Sequence, residues 1–281
     1  MEKITIAHIQ EMKNRGEKIS MVTAYDFPSA CFAEKAGIEI LLVGDSLAMT
    51  VLGLDSTVPV TLEDMIHHTK PVVRGAPSPM IVGDMPFGSY NQSSEQAIMN
   101  ANRLMKEGGC DVVKLEGGRE VAERIKAIVE AGIPVMGHIG LTPQTISKLG
   151  GFKVQGKGLE AAKALLEDAL AVEGAGAFCV VIECVPEEVG NLITQKVAIP
   201  TIGIGAGRNC DGQVLVFHDV LGLFEKFLPK FVKRYANLGE EVVRALREYR
   251  DEVKEGHFPA DGHVFGGVTE EELEELYGGN S

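Results

Sequence analysis

The chain has 281 residues, of which 45% are hydrophobic and 24% are charged, and its formal net charge is −13. This composition supports a large core and excludes a disordered chain, and the length fits a single barrel of roughly 250 residues. The negative charge argues against a nucleic-acid partner, because binding to phosphate backbones needs clustered Lys and Arg.

Cysteine usage and the apolar runs indicate the compartment. The five cysteines form no C-x-x-C pair, so neither a disulfide framework nor a thiolate zinc site is predicted. Residues 1–16 lack the apolar run of a signal peptide. No stretch approaches the roughly 18 apolar residues of a membrane span. We therefore expect a cytoplasmic protein with no membrane partner.

Eight short apolar segments follow one another along the chain. They are rich in β-branched residues and are bounded by Gly, Pro or Asp, which is typical of buried parallel strands. The segments begin at Met21, Ile40, Met80, Val112, Pro134, Phe178, Thr201 and Gln213.

Amphipathic helical patterns lie between most of these strands. Thr61 and Asp64 resemble a capping box that opens the first of them. The patterns cover residues 61–74, 92–107, 119–131 and 158–174.

Strands that alternate with helices predict either a closed (β/α)8 barrel or a doubly wound open sheet. The count of eight favours the barrel, an α/β fold, although the last two strands are too close in sequence for a full helix between them. Residues 229–255 form a charged helical stretch, and residues 256–281 are Gly-rich and acidic. We predict one barrel domain over residues 1–260 and an appended acidic tail over residues 261–281.

Polar side chains interrupt the apolar strands near their C-terminal ends. Because side chains alternate between the two faces of a strand, Lys114 and Glu116 share one face of their segment. His138 and Glu183 each lie opposite apolar neighbours on theirs. Barrel active sites are built at this end from several strands, so we expect these side chains to converge there.

Carboxylates from separate strands predict a metal site. Asp45, Asp84 and Glu116 belong to the second, third and fourth strands, and their hard oxygen ligands suit Mg²⁺. Glu183 lies on the sixth strand, across the mouth, where it is placed to act as a general base. Lys114 is placed to hold the negative charge of a substrate carboxylate or enolate.

Each of these residues taken alone has a structural interpretation. Asp45 and Asp84 are candidates for helix caps or turns. Lys114 and Glu116 are candidates for an ion pair, and His138 for a core histidine. Their convergence at one end of the sheet favours the functional interpretation.

Three loops have distinctive features. Residues 203–207, GIGAG, offer amides to an anion but are more typical of a tight turn. Residues 46–60 and 141–158 are long for barrel loops and are candidate lids. The second of these carries Lys148, Lys153 and Lys157, which could face an anionic cosubstrate or simply solvent.

Long blocks of the sequence carry a family resemblance. The blocks are MVTAYDFPSA, LLVGDSLAMTVLG, TVPVTLEDMIHHTKPVVRG, IVGDMPFGSY, VKLEGG, GIPVMGHIGLTPQ, GGFKVQGK, VIECVP and TIGIGAGRNCDGQVLVFHDVLG. They closely resemble the ketopantoate hydroxymethyltransferase family, and the likeness runs from about residue 2 to residue 260.

The resemblance implies a fold and an activity. The family is similar to phosphoenolpyruvate/pyruvate-type (β/α)8 barrels and makes ketopantoate on the path to pantothenate and coenzyme A. The resemblance implies that 5,10-methylenetetrahydrofolate donates a one-carbon unit to 3-methyl-2-oxobutanoate through a Mg²⁺-stabilised enolate. It also implies a large homo-oligomer, typically a decamer.

The resemblance also implies roles for individual residues. It places the metal at Asp45, Asp84 and Glu116. It places the 2-oxo acid against Asp45, Ser46, Asp84, Lys114 and His138. It makes Glu183 the proton acceptor.

Two other functions are compatible with the residues. One is a metal-dependent lyase or mutase on the same barrel, although the catalytic cysteine loop common in such enzymes has no match in the chain. The other is a non-catalytic 2-oxo acid binding protein, which leaves the inward carboxylates unexplained. An assay with and without methylenetetrahydrofolate separates the transferase from both.

Overall fold

The computed structural model describes residues 2–226 and 228–278. Contacts divide the chain into two compact units, Met1–Tyr235 and Ala236–Ser281. The domain boundary that we predict at residue 260 falls inside the second unit. A charged amphipathic pattern predicts a helix but does not identify the surface against which the helix packs. For this reason the sequence pattern did not separate residues 236–260 from the barrel.

The first unit is a closed barrel of eight parallel strands in sequence order, in which β8 pairs with β1. The barrel prediction is therefore confirmed, and the open-sheet alternative is wrong. The strands are β1 (Ile19–Thr23), β2 (Ile40–Val43), β3 (Met80–Asp84), β4 (Val112–Glu116), β5 (Val135–Gly140), β6 (Cys179–Glu183), β7 (Thr201–Ile204) and β8 (Gly212–Leu215).

Helices follow most of the strands, and each of the four predicted helical segments is found. Among the described residues, no helix combines the length and the apolarity that crossing a bilayer requires. The α-helices are α1 (Ile6–Arg15), α2 (Phe27–Lys35), α3 (Leu47–Thr50), α4 (Leu62–Gly75), α5 (Ser94–Arg103), α6 (Ala122–Glu130), α7 (Ile146–Leu149), α8 (Leu159–Gly174), α9 (Glu187–Lys196), α10 (Phe217–Val220), α11 (Leu238–Glu255) and α12 (Glu270–Tyr277). A π-helical turn (Leu104–Gly108) extends α5, and 3₁₀ turns cover Arg119–Val121, Pro143–Thr145 and Asp261–His263.

Local sequence explains two of these boundaries. The capping box at the start of α4 is confirmed: Thr61 Oγ1 accepts from the Asp64 N–H at 3.1 Å, and Asp64 Oδ2 accepts from the Thr61 N–H at 3.0 Å. In contrast, the predicted helix over residues 229–255 begins only at Leu238. The preceding residues include Pro, Phe, Val, Tyr and Asn, which have low helix propensity.

Side-chain alternation along the strands creates two apolar layers. The interior of the barrel is filled by alternate strand residues, among them Met21, Leu42 and Val181, and Ile9 of α1 packs with this cluster. The residues between them face the helices in a larger cluster, which includes Val113 and Leu115. The polar side chains of the interior face therefore lie at the C-terminal ends of the strands.

The connection between β7 and β8 is a turn rather than a helix. Gly205 and Gly207 have φ values of 64° and 87°, in the left-handed region that favours glycine. A Cβ on Gly205 would lie 2.7 Å from Phe231 Cδ1. Residues 205–207 therefore form a bend after the strand, whereas residues 203 and 204 of the GIGAG segment belong to β7.

Candidate active site

The charged residues singled out from the sequence meet at the C-terminal end of the barrel. Register pairs Asp84 with Lys114 across β3 and β4, and Glu116 with His138 across β4 and β5. These side chains are buried, and so is Asp45, which lies two residues after the end of β2. The strand order therefore assembles one polar cluster from residues far apart in the sequence.

Lys114 is the centre of this cluster. Its Nζ lies 2.9 Å from Asp84 Oδ1, 3.9 Å from Glu116 Oε1 and 3.2 Å from His138 Nδ1. Burial alone would lower the pKa of Lys114, but the negative charges of Asp84, Glu116 and Asp45 outweigh it and raise the pKa. The ammonium group therefore stays charged inside the barrel mouth.

The three carboxylates respond differently to their surroundings. Burial, together with the charges of Asp84 and Glu116, raises the pKa of Asp45 well above its usual value. Burial also raises the pKa of Asp84, against the opposing effect of Lys114. For Glu116, hydrogen bonding and charge from His138, with the charge of Lys114, outweigh burial and lower the pKa. Burial thus outweighs the charge of Lys114 at Asp45 and Asp84, whereas the neighbouring positive charges outweigh burial at Glu116.

His138 links the cluster to Glu183. Its Nε2 lies 3.2 Å from Glu183 Oε2, and its Nδ1 lies 3.5 Å from Glu116 Oε1. Burial and Lys114 would lower the pKa of His138, but the hydrogen bonds to Glu116 and Glu183 raise it to about 9. The Glu183 side chain is 14% exposed, so it lies at the edge of the cluster, where it can reach a bound molecule.

Four further side chains lie in or beside this cluster. Ser46 lies next to Asp45, and its Oγ is 2.8 Å from the hydroxyl of Tyr25, whose pKa burial raises to about 12. Gln144 donates from Nε2 to Asp45 Oδ2 at 2.9 Å and accepts from the Tyr90 hydroxyl at 2.7 Å. Sequence reasoning missed Tyr25, Tyr90 and Gln144, because uncharged residues in loops have no charge or periodic pattern to mark them.

The family of the chain follows from its sequence as a whole. The pattern that defines the ketopantoate hydroxymethyltransferase family matches residues 3–261. The chain belongs to this family. The match begins before β1 and extends beyond α11, so it includes every element that contributes to the polar cluster.

Curated relatives of this family align along almost the whole chain. The 3-methyl-2-oxobutanoate hydroxymethyltransferase of Carboxydothermus hydrogenoformans is 58% identical over 277 residues, which cover 99% of this chain and 100% of that protein. The protein of the same name from Heliobacterium modesticaldum is 59% identical over 276 residues, which cover 98% and 99% of the two chains.

Solved structures of other enzymes share the fold of this family member. Phosphonopyruvate hydrolase in complex with oxalate and Mg²⁺ superposes with a TM-score of 0.61 at 12% identity, covering 99% of this chain and 95% of that one. A 2,3-dimethylmalate lyase of the PEP mutase/isocitrate lyase superfamily gives a TM-score of 0.57 at 16% identity, covering 98% and 95%. These likenesses show that the chain shares the (β/α)8-barrel fold of these enzymes.

The donor set of the ketopantoate hydroxymethyltransferase cluster fits a divalent cation. Asp84 Oδ1 is buried without a well-directed hydrogen bond among the described residues, although Lys114 Nζ lies nearby. Within residues 2–226 and 228–278, no three His, Cys, Asp or Glu side chains already converge as a metal cage. Mg²⁺ takes few protein ligands and keeps several waters, so an open set of buried carboxylates suits it.

The segment of residues 141–158 is anchored at both ends beside Glu183. The Leu141 N–H donates to the Glu183 carbonyl at 2.9 Å, and the Gln155 N–H donates to the Cys184 carbonyl at 2.8 Å. Lys148, one of its three exposed lysines, lines a cavity of about 230 Å³ with Thr142 and Gln155. The lid role of this segment, like that of residues 46–60, stays a prediction.

Proposed function

We propose that the chain transfers a one-carbon unit to 3-methyl-2-oxobutanoate at the polar cluster, with Mg²⁺ held by carboxylates and Glu183 as the base. Family membership carries the reaction itself: the chain is an enzyme, a hydroxymethyltransferase that forms ketopantoate in pantothenate biosynthesis. Methylenetetrahydrofolate is the cosubstrate that this activity requires. The roles of the individual residues are the part that experiment must test.

The buried carboxylates support the metal part of the proposal. Asp45, Asp84 and Glu116 would hold Mg²⁺, which would supply Lewis-acid chemistry to a bound 2-oxo acid. Among the described residues, four carboxylates, counting Glu183, lie near two cationic partners, Lys114 and the protonated form of His138. A divalent cation would balance this excess of negative charge, as buried charges require.

Lys114, His138 and Ser46 would bind and orient the oxo acid. The Lys114 ammonium is fixed between two carboxylates, so it can stabilise negative charge on the substrate without reorganising. His138 can donate from either ring nitrogen while it is protonated. Ser46, at the N-terminal boundary of α3, offers a hydroxyl at the rim of the cluster.

Glu183 would remove the proton from C3 of the oxo acid. Its carboxylate lies 3.2 Å from His138 Nε2 and is partly exposed, which suits a group that must reach a substrate carbon. Loss of the proton leaves an enolate, whose C3 attacks the methylene carbon of the folate donor. One water is consumed overall; it supplies the hydroxyl oxygen as tetrahydrofolate departs.

Proton exchange at C3 isolates this step from folate chemistry. In D₂O with Mg²⁺ and no folate, we expect the wild-type chain to exchange the C3 proton, as followed by NMR. Glu183→Gln should lower the exchange rate by about 10²-fold or more, because the amide cannot accept the proton. Glu187→Gln, at the start of the following helix α9, is the matched control and should exchange at the wild-type rate.

Wild-type exchange in the Glu183→Gln variant would remove Glu183 as the base. Exchange that proceeds equally well after chelation of divalent cations would remove Mg²⁺ from the proposal. Because exchange needs no folate, neither result depends on how the donor binds.

We also propose that the chain assembles as a homodecamer, as the family resemblance implies. Helix α11 supports association, because none of its residues is buried. Its apolar residues recur at helical spacing along one stripe: Leu238, Val242, Leu246, Tyr249 and Val253. An apolar stripe of this length on a helix is typical of an interaction surface.

A further inference from the structure

Gln144 is a neutral side chain enclosed within the carboxylate cluster. It lies in the 3₁₀ turn Pro143–Thr145, near the start of the segment 141–158, and is only 3% exposed. Burying an amide is costly unless each polar atom has a partner. The partners of Gln144 therefore indicate what the residue is for.

The side-chain amide has one orientation that satisfies its surroundings. Nε2 donates its two hydrogens to Asp45 Oδ2 at 2.9 Å and to the Met85 carbonyl at 3.0 Å. Oε1 accepts from the Tyr90 hydroxyl at 2.7 Å. Exchanging the oxygen and the nitrogen would place Oε1 against two acceptors, so the network fixes the amide as described.

The backbone of Gln144 contacts a second carboxylate. Its N–H donates to Glu116 Oε2 at 3.0 Å. The Tyr90 hydroxyl also lies 3.1 Å from the Glu116 carbonyl oxygen and 3.3 Å from the Glu116 nitrogen. One residue of the candidate lid thus contacts a carboxylate at the end of β4 and another in the turn that follows β2.

We infer that Gln144 is a positioning residue, which holds the carboxylates of Asp45 and Glu116 in place for a divalent cation. Each hydrogen bond holds one oxygen of a carboxylate. The second oxygen of Glu116, Oε1, faces His138 Nδ1 at 3.5 Å and Lys114 Nζ at 3.9 Å, so Gln144 fixes the orientation of this carboxylate from the opposite side. Groups that orient metal ligands in this way typically contribute 10- to 100-fold to metal affinity or activity. The inference rests on the proposed function, because the cation is part of that proposal.

A purely structural role for Gln144 makes a different prediction. If the amide served only to join the 141–158 segment to the barrel, its loss would lower the free energy of unfolding and leave cation affinity unchanged. Cation binding in the absence of substrate therefore separates the two roles, and it does so without measuring turnover.

The test compares Gln144→Met with Gln155→Met in the full chain. Methionine keeps the length of the side chain but cannot donate to Asp45. Gln155 lies in the same segment, and its side chain donates to the Lys153 carbonyl away from the cluster, so it controls for a general effect on the segment. Mn²⁺ binding is measured by the loss of the free-ion electron paramagnetic resonance signal.

We expect Gln144→Met to raise the dissociation constant for Mn²⁺ by about 10-fold or more, with Gln155→Met near wild type. Saturating Mg²⁺ should then restore turnover of Gln144→Met to within about threefold of wild type, since the other catalytic groups are intact. Gln144→Asn provides a second variant if methionine prevents folding: it retains an amide that is one methylene too short to span Asp45 and Tyr90.

Wild-type Mn²⁺ affinity in a folded Gln144 variant would overturn the inference. Failure of the wild-type chain itself to bind Mn²⁺ would instead contradict the metal part of the proposed function. The two failures are therefore distinguishable in a single titration series.

Discussion

Individual residues of the cluster differ in how far the sequence identifies them. Lys114, Glu116 and His138 could be predicted, because strand alternation places them on the interior face and charge marks them as unusual there. Gln144 could not, since a glutamine in a loop is unremarkable until the fold brings it against Asp45. The sequence pattern thus identifies charged side chains on strands and helices. The neutral side chains that hydrogen-bond to them can be recognised only from tertiary contacts.

Asp219 offers a test of the burial of one carboxyl group. Burial raises its pKa from 3.8 to about 6, so the stability that it contributes is complete below about pH 4 and is lost as the pH rises through 6. Asp219→Asn should therefore raise the free energy of unfolding at pH 8, by at most about 2 kcal/mol because the group is partly solvated. It should have little effect at pH 4.

Urea denaturation of the Asp219→Asn variant at pH 4 and at pH 8 measures both values. Asp261→Asn, at an exposed position, is the matched control and should change neither. An equal change at the two pH values would contradict the assignment, since a shifted titration is the only source of the expected difference.

Helices and strands could be predicted where the sequence signal lies within the element itself. The eight strands and four helices follow from apolar periodicity, and the α4 boundary follows from a capping box between residues three apart. The start of α11 was not predicted, because the charged stretch before Leu238 continues without a cap residue that hydrogen-bonds at the boundary. Elements that lack such a local signal are located by packing instead.

The segment 141–158 is the element that we expect to face the folate donor. Folates carry carboxylates, and Lys148 is exposed beside a cavity at this segment. Lys148→Gln should raise the KM for the folate donor by about fivefold, the effect of one solvent-exposed ion pair. C3 proton exchange, which needs no folate, should stay at the wild-type rate.

Lys163→Gln, an exposed lysine on the next helix α8, is the control for this measurement. Steady-state kinetics with varied folate, together with exchange by NMR, gives both quantities. An unchanged KM for the folate donor, or an equal fall in both activities, would count against a donor site at Lys148.

The sequence pattern predicts the architecture of the whole molecule only in part. The barrel topology follows from counting strands, and closure is confirmed by the pairing of β1 with β8. The division at Tyr235 could not be predicted, because an amphipathic helix has the same sequence pattern whether it covers its own domain or another surface. The number of subunits likewise depends on surfaces rather than on periodicity.

A charge placed on the apolar stripe of α11 tests the proposed assembly. Leu246 is 62% exposed at the middle of the stripe, and burying a glutamate there between subunits would be costly. Leu246→Glu should therefore reduce the mass measured by light scattering from that of ten 30.2 kDa chains to that of smaller species. Arg244→Gln makes the same change of charge on the opposite side of the helix and should leave the mass unaltered.

The cation site is tested most directly by anomalous diffraction from crystals that contain Mn²⁺ and 3-methyl-2-oxobutanoate. We predict one strong peak at coordination distance, about 2.0–2.3 Å, from carboxylate oxygens among Asp45, Asp84 and Glu116. The oxo acid should bind the same ion, with its C3 turned towards Glu183. A peak at some other place on the molecule, or an oxo acid bound with C3 remote from Glu183, would contradict the account.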